Sequence, residues 1–464
     1  MKRGTSMKLL PALVIGLCSG YASAAGFQLL EQGASGQGTS YAGTAVTADD
    51  ASTVFTNPAG MAFLAQGKKH FSASVSAIQP SAKFSDQGTT AATFQARGNG
   101  NGGDAGDLAL VPSVYFVMPI DATLSIGIGM NAPFGLKTEY DSGWNGRFHG
   151  IKSDVRTLNL NPSLSFKVSD RVSLGFGVNY QQLRGEFTSA VNYAASIYQG
   201  AVTPAAAGGL GLAPAAAQPL ALAAGQGAAR ITGEDKTLGY NLGAIFQVSP
   251  ATRLGVSYRS EMTYHLTGSA DFSKLPATSV PNSTVNLMLS RSSARGGPIY
   301  ADITLPDTLT FSGSTKLNDK WEIVSDLAWT GWAKIPDLTF KYQDTSAVVS
   351  STPENWRNTW RFALGAIHRY NDTWTARAGI AFDQTPVKDD SRTVRLPDSN
   401  RTWLSLGGQY RLNKDAAIDF GYSHLFVKDG SMNNNAGSTA GYGLLLGTYK
   451  NEVDILGAQY SLAF

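Results

Sequence analysis

The feature that most constrains this chain is a pattern that occurs six times: an alternating stretch, a tight polar turn and a second alternating stretch. In residues 172–180 the apolar side chains share one parity, while Ser, Gly and Asn occupy the other. Alternation of this kind predicts half-buried β-strands, and polar turns at regular intervals predict antiparallel hairpins. The six turns are residues 119–122, 168–171, 248–251, 317–320, 370–373 and 412–415.

The connections between strands favour a membrane barrel over a soluble sandwich, whose strands also alternate. Six hairpins give twelve strands, and further strands near 68–80 and 448–464 bring the number to fourteen. One end of the sheet has short turns, whereas the other end has long segments. An even number of strands with this asymmetry is typical of outer-membrane barrels. The long segments are residues 81–107, 135–154, 190–230, 271–300, 333–355, 384–400 and 429–447.

The composition excludes several other classes. The chain of 464 residues is 15% charged, and no apolar run after residue 25 is long enough for a spanning helix. The net charge of +3, with no Lys/Arg run beyond Lys68 and Lys69, gives no indication of nucleic-acid binding. There is no Gly-x-Ser-x-Gly motif, and no histidine is identifiable as the base for a nucleophile. We therefore predict no enzyme, no metal site and no cofactor.

Residues 1–24 have the composition of a secretory signal peptide. Basic residues precede an apolar stretch at 9–17, and an Ala-Ser-Ala sequence ends at Ala24. The apolar stretch is too short to span a membrane in the mature protein. A buried N-terminal helix is the alternative, and either Met1 or Met7 is the start of translation.

The single cysteine of the chain, Cys18, lies inside this signal. It follows Leu17, whereas a lipoprotein signal requires a small residue immediately before the cysteine. We therefore expect a mature chain without cysteine. Such a chain has no disulfides to stabilise it, and it has no thiolate for catalysis or for metal binding.

Two regions lack the alternating pattern. Residues 25–66 are rich in Gly, Ala, Ser and Thr, and residues 190–230 are of low complexity. The lumen of a 14-stranded barrel is too wide to be filled by wall side chains, since about eight strands is the limit for that. We therefore predict that residues 25–66 plug the lumen and that residues 67–464 form the barrel.

Short sequences spread over the mature chain are distinctive in combination: AGFQL at 25–29, ADDA at 48–51, NPA at 57–59, WTARAGIAFD at 374–383 and LPDSNR at 396–401. This combination resembles the FadL family of outer-membrane long-chain fatty acid transporters. The resemblance implies an all-β, 14-stranded antiparallel transmembrane barrel with a small, partly helical N-terminal hatch. It also implies that hydrophobic substrates leave sideways through the barrel wall. The family includes carriers of aromatic hydrocarbons, so the substrate does not follow from the resemblance.

The third predicted strand contains Asn131, Ala132, Pro133, Phe134 and Gly135. Proline has no backbone N–H to donate, so within sheets it is confined to edges, strand ends and bulges, and a closed barrel has no edge. Either the strand ends at Asn131, or it kinks inward and opens a gap toward a neighbouring strand. The resemblance implies the second alternative, because the family has a lateral-opening kink here.

Strand parity assigns several charged residues to the lumen. The apolar neighbours of Arg361, Arg377 and Arg401 face lipid, so the three arginines face inward. Each is a candidate for binding a ligand carboxylate, although pairing with an acid of the lumen is an alternative for each. Asp383 shares the face of Arg377 and is a candidate partner for it or a contact for the hatch.

The resemblance adds further site residues. Phe27 is a candidate ligand contact, and Asn57, Pro58 and Ala59 are assigned to the hatch, where Asn can cap a helix and Pro can occupy its first turn. Arg184 matches a basic family position at the top of strand five. Strict parity turns Arg184 toward lipid, however, so a lumenal role requires a bulge.

The predicted function is passive uptake of long-chain fatty acids across the bacterial outer membrane. The alternative is the same mechanism for neutral hydrophobic compounds, such as aromatic hydrocarbons, in which case the arginines are structural. An open porin is disfavoured because residues 25–66 are long enough to block the lumen. The expected partners are the hydrophobic ligand, outer-membrane lipid and lipopolysaccharide, and the expected state is a monomer.

Overall fold

The computed structural model describes residues 26–204, 206, 209–273, 295–434 and 441–464, so the predicted signal peptide lies outside the described residues. Its main element is one antiparallel sheet of twenty segments that closes on itself. The segments are β1 (His70–Asp86), β2 (Ala109–Pro119), β3 (Leu124–Asn131), β4 (Gly135–Glu139), β5 (Lys152–Lys167), β6 (Val172–Val191), β7 (Gly227–Gln247), β8 (Thr252–Arg259), β9 (Met262–Phe272), β10 (Gly297–Leu305), β11 (Thr308–Lys316), β12 (Trp321–Thr330), β13 (Asp337–Tyr342), β14 (Val348–Pro353), β15 (Thr359–Arg369), β16 (Trp374–Asp383), β17 (Arg401–Arg411), β18 (Ala416–Val427), β19 (Gly430–Asn434) and β20 (Leu445–Ala463).

These segments form fourteen barrel strands because six strands are interrupted. The interrupted strands are β3/β4, β8/β9, β10/β11, β12/β13, β14/β15 and β18/β19. The sheet closes where β1 pairs with β20, in a ladder that runs from the pair His70 and Ala463 to the pair Asp86 and Gly447. The predicted all-β, 14-stranded antiparallel barrel is therefore confirmed. None of the described helices is both long and apolar enough to cross a membrane.

All six predicted hairpin turns are present, and polar side chains stabilise them. In the turn between β2 and β3, Asp121 Oδ1 accepts hydrogen bonds from the backbone N–H groups of Thr123 (2.7 Å) and Leu124 (2.9 Å). Asn371 makes the equivalent pair of bonds in the turn between β15 and β16. Asn and Asp are favoured in turns because their side chains bond to the backbone two or three residues further on.

The barrel wall separates an apolar outside from a polar inside, as the alternation predicts. On β6, Leu174 and Phe176 point outward and are exposed, whereas Ser173 and Asn179 point inward and are buried. An apolar outer band and a polar interior are what a barrel surrounded by lipid requires.

Residues 26–66 precede β1 and contain little regular structure. Asn57 Oδ1 accepts a hydrogen bond from the backbone N–H of Ala59 (3.0 Å), and Pro58 occupies the first helical position. The predicted cap is therefore confirmed, although the helix that it begins is of the 3₁₀ type. The short elements of this segment are a 3₁₀ turn at Gln37–Thr39, α1 (Thr53–Thr56) and the 3₁₀ helix Pro58–Phe63.

Glycines of the wall allow this N-terminal segment to approach the barrel closely. A Cβ on Gly379 of β16 would overlap the backbone of Thr39, and a Cβ on Gly175 of β6 would overlap the backbone of Ala59. Both glycines occupy inward positions on their strands. The backbone of the segment therefore lies directly against the backbone of the wall, with no side chain between them.

The low-complexity region at 190–230 forms a helical pair at the end of the barrel that carries the long loops. It contains α2 (Tyr193–Val202) and α3 (Pro214–Ala224). Tyr193 and Ile197 of α2 pack against alanines of α3, so small side chains let the two helices approach closely. Strand alternation makes no prediction for this region, because the sequence of the region has no strand periodicity.

Candidate functional site

Four aromatic side chains meet in the lumen, and we call them the aromatic cluster: Phe27, Phe134, Trp332 and Trp356. Phe27 is at the centre, with ring centroids 5.7 Å from Phe134, 5.2 Å from Trp332 and 5.9 Å from Trp356. All four side chains are buried, and their tilted packing is favourable for aromatic rings. Apolar residues of the wall extend the cluster, among them Leu183, Met262 and Leu266, together with Leu396 of the loop between β16 and β17.

The chain enters the cluster at Gly26. Its φ is +63°, and a side chain here would overlap the ring of Trp332. The backbone N–H of Gly26 donates to Oδ2 of the buried Asp398 (2.9 Å). Phe27 is therefore positioned by a backbone bond to a carboxylate of an external loop.

The third barrel strand is interrupted at residues 132–134, where the chain pairs with the N-terminal segment. The backbone N–H of Leu29 donates to Pro133 O (2.8 Å), and the N–H of Gly135 donates to Phe27 O (2.9 Å). An antiparallel bridge lies between these two bonds. Backbone groups that leave the barrel ladder here thus find their partners in the segment that carries Phe27.

The barrel ladder is open beside this interruption. β2 pairs with β3 as far as the pair Val114 and Met130, but its first residues, 109–113, pair only with β1. β4 pairs only with β5, in a register shifted by one residue from that of β3. Among the described strands, no backbone pairing therefore joins the upper half of β2 to β4.

Polar contacts on the inner side of the interruption lead into the N-terminal segment. Asn131 is buried and donates through Nδ2 to the hydroxyl of Tyr115 (3.1 Å), which in turn donates to Gln32 O (2.8 Å). Gln32 Nε2 donates to Ala132 O (2.8 Å). The two residues that precede Pro133 are thereby tied to the N-terminal segment.

Arg377 points into the lumen, as its parity predicts, but it already has acidic partners. It is buried on β16, and Nη1 donates to Asp419 Oδ1 on β18 (2.5 Å). Its Nη2 lies 3.9 Å from Asp49 of the N-terminal segment. Of the two alternatives for Asp383, the one that makes it the partner of Arg377 is wrong, because Asp383 lies six positions further along the same strand.

Asp383 instead lies between two of the other predicted arginines. It is directly opposite Arg361 on β15 and Arg401 on β17. Arg401 is buried and pairs with Asp398, the residue that also binds Gly26. The structure thus brings Arg361, Asp383 and Arg401 together and keeps Arg377 apart from them.

Arg361 differs from Arg377 in what surrounds it. Its guanidinium donates to Ser40 O and lies 5.4 Å from the ring centroid of Trp403. Among the described residues, no carboxylate lies within ion-pair distance, and Nε has no hydrogen-bond partner. Arg361 lines a small cavity of about 60 Å³ that also touches Tyr41 and Trp332 of the aromatic cluster. Asp326 and Asp383 line the same cavity. Of the three predicted arginines, Arg361 is the one without an ion-pair partner among the described residues.

Arg184 is outside the lumen, which corrects its assignment as a ligand-binding residue inside the barrel. Its side chain points outward from β6 and pairs with Glu234 on β7 (2.6 Å). β6 keeps one register with β5 and one with β7 along the whole of its ladders. The bulge that a lumenal position requires is therefore absent.

Four residues at the edge of or within the aromatic cluster were not predicted as site residues: Trp332, Trp356, Glu354 and Arg395. They lie in loops and strand interruptions, where parity has no meaning. Trp356 Nε1 donates to Glu354 (3.1 Å), and burial raises the pKa of Glu354 to about 8. Burial also lowers the pKa of Arg395, because the charged form loses its hydration. The one available signal was two tryptophans flanking the external segment 333–355.

The fold, a closed fourteen-stranded barrel with its N-terminal segment packed inside, is typical of transport proteins of the outer membrane. Within that class, the chain belongs to the family of outer membrane protein transport proteins (OMPP1/FadL/TodX), which it matches over residues 15–464. The prediction that it resembles this family is confirmed, as is its location in the bacterial outer membrane. Because the family is one of transporters for hydrophobic compounds, the prediction that the chain is not an enzyme is also confirmed.

Individual relatives agree with this assignment. The long-chain fatty acid transport protein of Salmonella typhi is 31% identical, over 89% of this chain and 90% of the relative. The crystal structure of a FadL homologue of Pseudomonas aeruginosa matches with a TM-score of 0.82 and 26% identity, over 94% of this chain and 99% of that one. The toluene transporter TodX of P. putida shares the fold, with a TM-score of 0.65 and 17% identity, over 93% of this chain and 98% of that one.

Proposed function

We propose that this chain mediates passive uptake of long-chain fatty acids across the outer membrane. In this proposal the aromatic cluster binds the acyl tail, and the ligand leaves sideways through the gap at the kinked third strand. The observation that carries the proposal is the pairing of residues 27–29 with residues 133–135, because one short backbone pairing joins the binding cluster to the gap. The relative from Salmonella typhi, named as a long-chain fatty acid transporter, supports the choice of substrate.

Binding requires Phe27 to move. Its ring occupies the centre of the aromatic cluster, so an acyl tail in the cluster takes the place of this ring. Movement of Phe27 pulls on its carbonyl, which accepts the N–H of Gly135, and on Leu29, which bonds to Pro133. Entry of a tail therefore releases the backbone of the kink at the place where the ladder is already open.

Lateral exit follows from the free energy of the tail. Each buried methylene contributes about 0.8 kcal/mol, so release into the aqueous periplasm is steeply unfavourable for a long tail. The bilayer beside the barrel presents no such cost. Pro133 removes one backbone donor from the ladder, which keeps the wall open without leaving an unsatisfied N–H.

The segment 26–66 acts in this proposal as a hatch that prevents leakage through the lumen. Its support is the direct contact of its backbone with inward glycines such as Gly175 and Gly379. Deletion of residues 26–60 is expected to raise single-channel conductance in planar bilayers. Conductance that stays at the level of the full chain would show that something else closes the lumen.

The test of lateral exit is to close the gap with a disulfide. One cysteine is placed within residues 109–113 and the other within 135–139, in a mature chain predicted to have no cysteine of its own. The matched control is Thr263→Cys with Thr304→Cys, two outward residues that face each other across an intact ladder (Oγ1 to Oγ1, 3.0 Å). Oxidation should stop oleate uptake by cells in the first variant and leave it unchanged in the control. Uptake at the reduced rate, with the bridge shown to be complete, would exclude the lateral route.

The second candidate substrate is a neutral hydrophobic compound, and the aromatic character of the cluster favours it. A carboxylate needs a cation or several donors, and Arg361, with its unpartnered Nε beside a small cavity, is the candidate group. Competition for binding between oleate and toluene distinguishes the two substrates. We further propose that the barrel works as a monomer surrounded by outer-membrane lipid and lipopolysaccharide, because the β1–β20 seam closes it within one chain.

A further inference from the structure

The outer surface of β5, β6 and β7 changes character toward the end of the barrel that carries the long loops. From the short-turn end of the barrel as far as Leu160, Tyr180 and Leu238, the outward residues are almost all apolar and exposed. Beyond them, the outward positions of these strands are mainly charged. We call the five cations among them the outer cation patch: Lys152, Arg156, Arg184, Arg230 and Lys236. In barrels of this class the long-loop end faces the cell exterior, so the patch lies at the outer leaflet.

Two members of the patch are placed unfavourably with respect to each other. Arg156 and Arg184 are directly opposite in the β5–β6 register, and like charges in such positions repel. Each guanidinium already has an acidic partner: Arg156 donates to Asp154 through Nε and Nη2 (both 2.9 Å), and Arg184 donates to Glu234. Both line a depression in the outer wall of about 900 Å³, whose lining also includes the carboxylates of Asp154, Glu186 and Glu234. An anion that enters this depression must displace Asp154 or Glu234 to contact the two guanidinium groups.

The carboxylates of this surface balance the cations only in part. Three outward carboxylates on β5–β7 accompany the five cations: Asp154, Glu186 and Glu234. A fourth, Asp271 of the neighbouring β9, lies directly opposite Arg230. The pair of Arg184 and Glu234 is more than half exposed on both sides, at 63% and 56%. Exposed pairs of this kind contribute little free energy, so a stronger anion can displace the carboxylate.

We propose that the outer cation patch binds the phosphate group of a phosphorylated glycolipid of the outer leaflet. A phosphate monoester carries a charge of about −1.5 to −2 and three acceptor oxygens, which suit two guanidinium groups. The acyl chains of the same lipid then lie along the apolar residues below, including Leu160 and Tyr180. The site gives Arg184 a role, and it is on the opposite face of the wall from the lumen that holds the transported ligand.

The experiment measures retention of lipid A by the purified full chain, with native mass spectrometry as the readout. Phosphorylated lipid A and lipid A with its phosphates removed are the two probes. Retention of the phosphorylated form by Arg156→Gln with Arg184→Gln should fall about tenfold, because charge-assisted hydrogen bonds are lost. The phosphate-free form should bind weakly and equally to both proteins.

The matched control is Lys83→Gln with Lys450→Gln. These lysines also point outward and lie directly opposite each other, on β1 and β20, but outside the depression. Their replacement should leave lipid A retention unchanged. Equal retention by the arginine variant and the unmodified protein, or equal retention of the two probes, would overturn the proposal.

Two further measurements keep the test interpretable. Resistance of the barrel to unfolding in detergent at room temperature shows that each variant is folded. If the double variant is not folded, Arg184→Gln alone replaces it, because this position is exposed. Oleate binding should be unchanged in all of them. Loss of lipid A retention with normal oleate binding separates this site from the transport proposal, so either can fail without the other.

Discussion

The aromatic cluster and the Arg377–Asp419 pair are both buried in the lumen, yet they are built in opposite ways. The cluster has rings from the N-terminal segment, the kink and two strand interruptions, and no ion pair holds Phe27 at its centre. The Arg377–Asp419 pair joins two regular strands of the wall, at 2.5 Å, and reaches Asp49 of the N-terminal segment. Under the proposed function, contacts of the first kind are exchanged for a ligand, whereas contacts of the second kind hold a position.

The difference shows which buried arginines are available to a ligand. A fatty acid could bind Arg377 through its carboxylate only by displacing Asp419 from a buried pair. The buried carboxylate of Asp419 would then have lost its cation. Arg361 has no such partner among the described residues and lies beside the cluster. Under the proposed function, the aromatic cluster with Arg361 binds the ligand, and the Arg377–Asp419 pair holds the N-terminal segment in place.

The largest expected effect comes from breaking the buried pair. Arg377→Met leaves Asp419 buried without its cation and should lower the free energy of unfolding by about 3–5 kcal/mol. The measurement is urea unfolding of the protein in lipid vesicles. Arg377→Met with Asp419→Leu removes both charges and should recover most of this loss. Equal destabilisation in the single and double variants would mean that the pair does not have the structural role assigned to it.

The second effect concerns the aromatic cluster. Trp356→Ala removes a large apolar surface, of which we expect about half to contact the tail, so binding should weaken by about 2–3 kcal/mol. The loss should be the same for oleate and for a neutral analogue of equal length, as measured by displacement of a fluorescent fatty acid. Trp374→Ala, at an exposed outward position of β16, is the control and should not change binding.

The third effect separates the head group from the tail. Arg361→Gln should weaken oleate binding by about 1.5 kcal/mol, or roughly tenfold, because one charge-assisted hydrogen bond is lost. Binding of the neutral analogue should be unaffected. If both ligands lose affinity equally, Arg361 is structural, and the neutral hydrophobic compound becomes the better candidate substrate.

The smallest effect is a pH dependence at the edge of the cluster. Burial raises the pKa of Glu354 from 4.5 to about 8, so the folded protein favours its protonated form. The stability from this preference is complete below pH 4.5 and is lost as the pH rises through 8. Hydrogen exchange of the loop around Trp356 should therefore accelerate between pH 5 and pH 8. In both proteins the hydrogen-exchange rates are corrected for the intrinsic effect of pH. After this correction, Glu354→Gln should show no acceleration between pH 5 and pH 8.

Most of the barrel could be predicted from the sequence because alternation and turn residues are local signals. The parity rule placed Arg361, Arg377 and Arg401 inside the lumen correctly. It could not identify Asp419 as the partner of Arg377, since the two lie on strands separated by β17. Gly407 lies directly opposite Arg377 on β17, and the backbone of Gly38 occupies the space that a side chain at Gly407 would take.

The cluster was less predictable for a different physical reason. Trp332 and Trp356 lie where strands are interrupted, and no periodic pattern assigns a direction to a side chain there. Their position depends on the path of the chain between strands. The same holds for Asp398, whose contact with Gly26 joins residues 372 positions apart.

The inward glycines have a consequence for how the protein is assembled. Because the hatch backbone rests directly on the wall at Gly175 and Gly379, no clearance is left through which it could be threaded into a finished barrel. The hatch also runs directly into β1, whose other edge makes the final seam with β20. We therefore expect the N-terminal segment to be in place before β20 pairs with β1, so that the barrel closes with its lumen already filled.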